Sequence, residues 1–220
     1  NGLGVLLGGI PGVEPAKVVI VGAGVVGTNA AKIAIGVGAD VSVLDINSKR
    51  LANLDLIFGG QVKTHYSNPL TILEEAKKAD ILVGAVSIAN PNAPKLISAD
   101  VVRQMKKGSV IIDVAIDQGG IVETIDRITT HNDPIFEKFG VLHYAVPNIP
   151  SAVPRTASLG YSYAILPYLK QMEDIGVIQA IKANEALGRG VATFRGSVTN
   201  EALANTFGYE HTELSLLVGF

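Results

Sequence analysis

The sequence of 220 residues contains no cysteine. Disulfide bonds, thiolate nucleophiles and cysteine-based metal sites are therefore excluded, and a reducing, cytoplasmic location is expected. No large basic block is present and the net charge is −2, which argues against nucleic acid as the main partner. No uninterrupted apolar run approaches the roughly 18 residues that a membrane helix needs, and the first residues lack a signal-peptide pattern. We therefore expect neither nucleic acid nor a membrane as a partner.

Histidine is also scarce. The chain has four, at His65, His131, His143 and His211. Without cysteine or a close cluster of carboxylates these side chains make a poor metal site, so no metal is predicted.

Apolar residues, at 48% of the chain, recur as short Val- and Ile-rich runs that alternate with segments of helical spacing. The runs are continuous rather than alternating, which indicates strands buried on both faces of a parallel sheet. We predict strands over 17–21, 41–45, 62–66, 81–86, 110–114 and 141–146, and helices over 25–37, 48–58, 69–78 and 98–107. The predicted fold class is α/β, with a Rossmann-type doubly wound parallel sheet and helices on both sides.

A glycine motif follows the first predicted strand. Gly22, Gly24 and Gly27 form G-x-G-x-x-G between that strand and a helix. Gly22 permits the tight turn, Gly24 lets a pyrophosphate approach the backbone, and Gly27 lets helix and strand pack closely. The helix N-terminus offers free N–H groups to the anion. The plain alternative is a glycine turn with no ligand.

Asp45 ends the second strand, near the spacing expected for an acid that binds the adenosine ribose. A carboxylate there repels a 2′-phosphate, so NAD is favoured over NADP. Arg50, one turn into the next helix, acts in the opposite direction because arginine also binds phosphate. The alternative for Asp45 is a solvated aspartate at a strand end.

The character of the chain changes after Pro147. The segment 148–154 is rich in turn residues, and helices are predicted over 158–173, 177–188 and 199–207. We predict an NAD-binding Rossmann domain over 1–148 and a helical part of a second, substrate domain over 149–220. The helical part is too short to bury a good core alone.

Several stretches resemble the bacterial alanine dehydrogenases: GVLLGGIPGV (4–13), VVIVGAGVVGTNAAKIA (18–34), MKKGSVIIDVAIDQGG (105–120), TTHNDP (129–134) and VPNIPSAVPRT (146–156). The related transhydrogenase α subunits have a similar glycine loop. Their counterpart of Asp117-Gln118-Gly119-Gly120 reads Glu-Gln-Gly-Gly, so the resemblance to alanine dehydrogenase is stronger.

The resemblance implies reversible oxidative deamination of L-alanine to pyruvate and ammonia, with hydride passed to NAD. It makes Asp117 the catalytic carboxylate, which assists proton transfer beside the nicotinamide ring, and Asp113 a structural residue. Gly119 and Gly120 would keep the wall of the site open for cofactor and substrate. Together with the residues of the glycine motif, the implied contacts form one predicted NAD site. It consists of Gly22, Gly24, Val26, Gly27, Asp45, Arg50, Ser67, Val86, Ser87, Val114, Ala115, Ile116, Asp117, Arg127, Val146, Pro147, Asn148 and Ile149.

Family chains are longer at the N-terminus, and this sequence is expected to begin inside the nucleotide domain. That earlier segment carries most of the substrate domain, so its substrate-binding residues cannot be mapped here. The resemblance further implies a homo-oligomer, a hexamer in the family, and leaves room for a separate N-terminal chain. Two alternatives stay open: a truncated or split NAD-binding module without catalysis, and an opine- or lysine-forming dehydrogenase of related fold. The VAIDQGG stretch argues against the second.

Overall fold

The computed structural model describes residues 2–87 and 95–219, and all of the predicted site residues lie within these ranges. Two compact units are present, Asn1–Ala152 and Val153–Phe220. The division falls four residues after the boundary that the sequence suggested.

The first unit is built on a seven-stranded sheet in the order β3-β2-β1-β4-β5-β7-β6. Six strands run parallel, and β6 pairs antiparallel with β7 at the edge. The elements are β1 (Lys17–Val21), α1 (Val25–Gly36), β2 (Asp40–Asp45), α2 (Ser48–Phe58), β3 (Val62–Tyr66), α3 (Pro69–Lys78), β4 (Ile81–Gly84), α4 (Ala99–Arg103), β5 (Val110–Asp113), β6 (Ile135–Lys138) and β7 (Val141–Tyr144). This is the doubly wound α/β arrangement that the sequence predicted.

Both faces of the sheet are buried, as the continuous apolar runs indicated. Val19 and Val21 point into one hydrophobic cluster, which includes residues of α3 and α4. Their neighbours Val18 and Ile20 point into another, which includes residues of α1 and α2. Successive strand side chains face opposite sides of a sheet, so a strand covered on both sides needs apolar residues at every position.

Strand and helix ends differ from the sequence predictions. The predicted strands 81–86, 110–114 and 141–146 end one or two residues earlier, at Gly84, Asp113 and Tyr144. The predicted helix 98–107 is shorter in the structure, where α4 ends at Arg103 and residues 106–109 form a turn. In this turn the Ser109 hydroxyl donates to the Lys106 carbonyl at 2.6 Å and Gly108 has a φ of 86°.

The edge strand β6 is not among the predicted strands. Only four residues long, it has exposed Ile135 and Glu137 alternating with partly buried Phe136 and Lys138. A short edge strand that is half polar gives no continuous apolar run for a sequence pattern to detect.

The second unit is largely helical, with α5 (Pro154–Ile175), α6 (Val177–Ala183), α7 (Glu185–Gly190), α8 (Glu201–Phe207) and α9 (Leu214–Val218). The predicted helix 177–188 is interrupted at Asn184, whose side chain accepts from the N–H groups of Ala186 and Leu187 and so begins α7. A missed two-stranded hairpin, β8 (Thr193–Phe194) and β9 (Ser197–Val198), turns at Arg195 and Gly196, both at positive φ. Among the residues that the structure describes, no helix has the length and apolar character needed to cross a bilayer.

Few side chains of this unit are buried. Over the described residues 153–219, the buried apolar residues are Ala180, Ile181, Ala204 and Val218, whereas Tyr161 and Tyr163 are each 70% exposed. The small core agrees with the expectation that these residues cannot bury a good core alone.

His143 on β7 gives the first unit a testable pH dependence. The ring is fully buried, with Nε2 2.7 Å from the Thr124 hydroxyl, Nδ1 2.9 Å from the Val141 carbonyl, and a stacked Phe136 ring. Burial holds the pKa of His143 below its ordinary value of 6.5. The unfolded chain therefore binds more protons near pH 6, and stability falls as pH drops below about 6.5. The midpoint temperature of thermal unfolding should fall less for His143→Gln than for the parent chain when the pH is lowered from 7.5 to 5.5.

The exposed His131 supplies the control for this pH dependence. His131→Gln should retain the full pH dependence of the parent chain. If the unfolding temperature of His143→Gln depends on pH as strongly as that of the parent chain, His143 is not the source of the pH dependence.

Candidate functional site at the carboxyl edge of the sheet

Many of the predicted site residues lie in loops that follow five of the parallel strands. Gly22 follows β1, Ser67 follows β3, Val86 follows β4, Asp117 follows β5 and Asn148 follows β7. The carboxyl ends of parallel strands share one edge of a sheet, so these loops lie along the same edge. The strand order reverses between β1 and β4, and the crevice at such a reversal is where ligands bind in open α/β sheets.

The glycine turn has the geometry that the motif requires at two of its positions. Gly22 has a φ of 111°, and a Cβ there would lie 2.6 Å from the Ala85 carbonyl oxygen. A Cβ on Gly27 would lie 1.8 Å from the Gly22 carbonyl oxygen. Gly24 differs, because a Cβ there would meet nothing within 4 Å. Gly22 and Gly27 are needed to build the turn, whereas Gly24 faces open space where a ligand can approach.

The N-terminus of α1 carries no side-chain cap. Gly24 is its N-cap residue, with no capping hydrogen bond. The other helices of this unit, α2, α3 and α4, begin with capping side chains from Asn47, Asn68 and Ser98. Because the first N–H groups of a helix need a partner, those of α1 are available to an anion. Val25 and Val26 beside them are 81% and 46% exposed.

Asp45 is buried rather than solvated, contrary to the alternative interpretation of this residue. One carboxylate oxygen accepts from the N–H of Ala23 at 2.7 Å and the other from the N–H of Asn47 at 2.8 Å. Arg50 Nη1 lies 3.7 Å from the same carboxylate. Asp45 therefore fixes the glycine turn, and a carboxylate has further lone pairs that can accept from ribose hydroxyls.

A cavity of about 120 Å³ opens between the ends of β4 and β5. Its lining includes the predicted residues Val26, Val86, Ser87, Val114, Ala115 and Asp117. Ala85 and Gln118 also line it and were missed, although each adjoins a predicted residue in the sequence. The Ser87 hydroxyl donates to Gln118 Oε1 at 2.6 Å and so joins the two loops.

Asp117 is exposed on a short 3-10 helix, Ile116–Gln118, directly after β5. Its two carboxylate oxygens lie 3.2 and 3.1 Å from the backbone nitrogen of Asn148, which donates to them. Asn148 has a φ of 50°, which is uncommon outside glycine and which asparagine tolerates better than most residues. The structure therefore brings together the predicted catalytic carboxylate and the loop after β7.

Asp113 is the fully buried carboxylate of the pair, and it accepts three backbone hydrogen bonds from its own loop. Burial raises the pKa of Asp113 above its ordinary range, whereas the backbone donors act to lower it. The two glycines that follow Gln118 have a conformational role as well as the predicted one of keeping the wall open for cofactor and substrate. Gly119 and Gly120 have φ values of 94° and 70°, and a Cβ on Gly120 would lie 2.6 Å from Asp113 Oδ2. Their absent side chains serve the conformation of the loop.

The other predicted residues occupy several positions. Ser67 donates its N–H to the Asp45 carbonyl at 3.0 Å, and Val146 is buried, whereas Pro147 and Ile149 are partly exposed. Arg127 contacts Asp126 and lies 4.8 Å from the ring centre of Phe136 on the edge strand β6. Within 2–87 and 95–219, no group of three or more histidine and carboxylate side chains could hold a metal ion.

The sheet order, the glycine turn at the strand reversal and Asp45 at the end of β2 define a nucleotide-binding domain of the Rossmann class. The chain belongs to the alanine dehydrogenase/PNT family, since the family's C-terminal domain model matches residues 1–201.

Individual relatives agree with this family. The chain is 53% identical to an alanine dehydrogenase of Staphylococcus haemolyticus, over 97% of this chain and 57% of that protein. It is 57% identical to one of Methanococcus maripaludis, over 96% and 57%. A solved L-alanine dehydrogenase superposes with a TM-score of 0.86 at 47% identity, covering 94% of this chain and 57% of that one. A transhydrogenase from Sinorhizobium meliloti superposes at 0.68 with 26% identity, covering 92% and 55%.

The chain thus spans a little over half the length of these relatives. They include named dehydrogenases, which are oxidoreductases, and the family is NAD-dependent in general.

Proposed function

We propose that this chain supplies the NAD-binding domain and the catalytic carboxylate of an enzyme that oxidatively deaminates L-alanine. The observation that carries the proposal is the pairing of Gly24, open at an uncapped helix N-terminus, with Asp117 at the end of β5 on the same sheet edge. The first feature would hold the central pyrophosphate of a dinucleotide, and the second would serve its nicotinamide end.

The described residues fit NAD in charge and in space. Gly22, Gly24 and Gly27 with the first N–H groups of α1 would hold the pyrophosphate. Asp45 would accept from the adenosine ribose, and its charge would disfavour a 2′-phosphate. The cavity between Val86 and Asp117 would receive the nicotinamide end.

The proposed reaction converts L-alanine, NAD⁺ and water into pyruvate, ammonium, NADH and a proton. NAD, when bound, accepts the hydride. The Asp117 side chain lines the cavity, and its carboxylate accepts from the backbone N–H of Asn148. Held in this position, the carboxylate can take a proton from, or return one to, the group at the reacting carbon.

A second function is favoured by the length of the match. The chain spans 57% of the length of its alanine dehydrogenase relatives, and a chain that contains only these residues would bind NAD without turning over alanine. In that case Asp117 would have no substrate-binding partners. L-Alanine or pyruvate as substrate, a homo-oligomer, a separate N-terminal chain and a cytoplasmic location all stay predictions.

Titration of the chain with NADH, followed by nicotinamide fluorescence, tests the cofactor. We expect saturable binding of NADH and at least about tenfold weaker binding of NADPH, because Asp45 would face the 2′-phosphate. ADP-ribose should compete, since it occupies the glycine turn and Asp45 alone. Failure of NADH and ADP-ribose to bind would refute the proposal. Equal affinity for NADH and NADPH would refute the role of Asp45.

A further inference from the structure

The loop from Val114 to Val122 carries Asp117, and it is held from beneath by Asp113. One oxygen of Asp113 accepts from the N–H of Ala115 at 3.0 Å. The other accepts from the N–H groups of Ile121 at 2.7 Å and Val122 at 3.2 Å. One carboxylate therefore closes both ends of the loop.

Two glycines, Gly84 and Gly120, lie beside the Asp113 carboxylate and leave space for it. A Cβ on Gly120 would lie 2.6 Å from Asp113 Oδ2, and one on Gly84 would lie 3.5 Å from Oδ1 and 2.9 Å from a side-chain carbon of Ile121. Two glycines on different elements thus leave room for the buried acid and the loop above it. Burying a carboxylate is costly unless its oxygens find donors, and here the donors are the loop's own N–H groups.

Lys95 holds the same loop from the outside. Its ammonium group donates to the carbonyl oxygens of Gly119 at 2.5 Å and Gly120 at 2.9 Å. Two residues later the Ile97 N–H donates to the Ile121 carbonyl at 3.1 Å. Lys95 thus binds carbonyl oxygens of the loop, whereas Asp113 binds its N–H groups.

We propose that Asp113 and Lys95 are positioning residues, which fix the loop so that the Asp117 carboxylate meets the backbone N–H of Asn148 beside the cavity. Neither residue is among those that line the cavity. Their effect on the site passes through the backbone of the loop. The inference rests on the proposed function for the role of Asp117, but the loop geometry can be measured without any cofactor.

The test compares two variants of the full chain with a matched control. Asp113→Asn keeps the shape of the side chain but replaces one acceptor oxygen by an NH₂ donor, and Lys95→Met removes the ammonium group while it keeps an unbranched apolar side chain of similar length. Asp80→Asn is the control. Asp80 is also buried and accepts a backbone N–H, from Lys17 at 2.7 Å, but it precedes β4 at the opposite edge of the sheet.

Amide chemical shifts and hydrogen exchange give the first measurement. Both positioning variants should shift the Asn148 amide resonance, and Asp113→Asn should raise exchange at Ala115, Ile121 and Val122 by about tenfold or more relative to the strands. Asp80→Asn should do neither. The second measurement is affinity. NADH binding should weaken severalfold in both variants while ADP-ribose binding stays within twofold of the parent chain.

The results separate positioning from a merely structural role. If the loop amides exchange faster but the Asn148 resonance and the NADH to ADP-ribose ratio stay unchanged, Asp113 only stabilises the loop and the proposal is wrong. If Asp113→Asn fails to fold, Lys95→Met decides by the same measures. If the parent chain binds no NADH, the proposed function fails, and the Asn148 resonance alone decides whether Asp113 and Lys95 position Asp117.

Discussion

Replacing Gly24 by alanine is expected to weaken NADH binding at least tenfold without lowering the stability of the chain. A Cβ at Gly24 meets no atom within 4 Å, and its φ of −75° suits any residue. Where an alanine fits the native backbone, it stabilises a protein by about 0.4–1 kcal/mol, because the unfolded chain loses freedom. The added methyl group nevertheless stands at the N-terminus of α1, where a pyrophosphate must approach the backbone closely.

The glycines Gly27 and Gly36 within α1 supply the comparison. Gly27→Ala should lose both stability and binding, because its Cβ would lie 1.8 Å from the Gly22 carbonyl oxygen and the helix would have to move away from β1. Gly36→Ala, at the other end of α1, has open space as well; it should leave NADH affinity unchanged and, like Gly24→Ala, should not lower stability. Denaturant unfolding and NADH titration on all three variants separate the effects. NADH affinity of Gly24→Ala equal to that of the parent chain would contradict a pyrophosphate at this turn.

Much of the first unit could be predicted because its signals are local in sequence. The apolar runs of β1 to β5 and the glycine spacing each lie within a few residues, and burial on both faces leaves a continuous pattern. The strand ends were placed one or two residues too far because Val86, Val114 and Val146 are apolar like the strands. Residues such as Val86 and Val114 leave the ladder to line the cavity, a role that hydrophobicity alone does not distinguish.

The supports of the site could not be predicted, because they join residues that are far apart in the chain. Asp45 and Ala23 are separated by 22 positions, Lys95 and Gly119 by 24, and Asp117 and Asn148 by 31. No spacing rule connects such pairs until the strand order brings their loops to one edge. The sequence indicates the carboxylates and the glycines, and it predicts Asp45 as a ribose acceptor. In the fold Asp45 also holds the glycine turn.

Asp117→Asn is expected to lower kcat for the NAD-dependent oxidation of L-alanine by at least about 100-fold, the usual contribution of a positioned acid–base group. The substitution keeps a side-chain oxygen that can accept from the Asn148 N–H, so the loop should stay in place and NADH affinity should remain within about twofold. Asparagine cannot take up a proton at neutral pH, and this is the change that the rate reports. Steady-state rates and fluorescence titration of the same preparation measure both quantities.

A conservative change elsewhere shows whether such a loss is specific. Asp100→Asn is the matched variant, because Asp100 is a highly exposed carboxylate paired with Arg103 on α4, and its kcat should equal that of the parent. Equal rates for Asp117→Asn and the parent would remove Asp117 from the chemistry. If the parent chain binds NADH but does not turn over alanine, the binding-module function is supported. Asp117→Asn must then be measured in a protein that also contains the segment by which the relatives are longer. In that longer protein Asp117→Asn should lower kcat. The affinity for ADP-ribose should stay unchanged, because ADP-ribose would be held at the glycine turn and Asp45, away from the loop after β5.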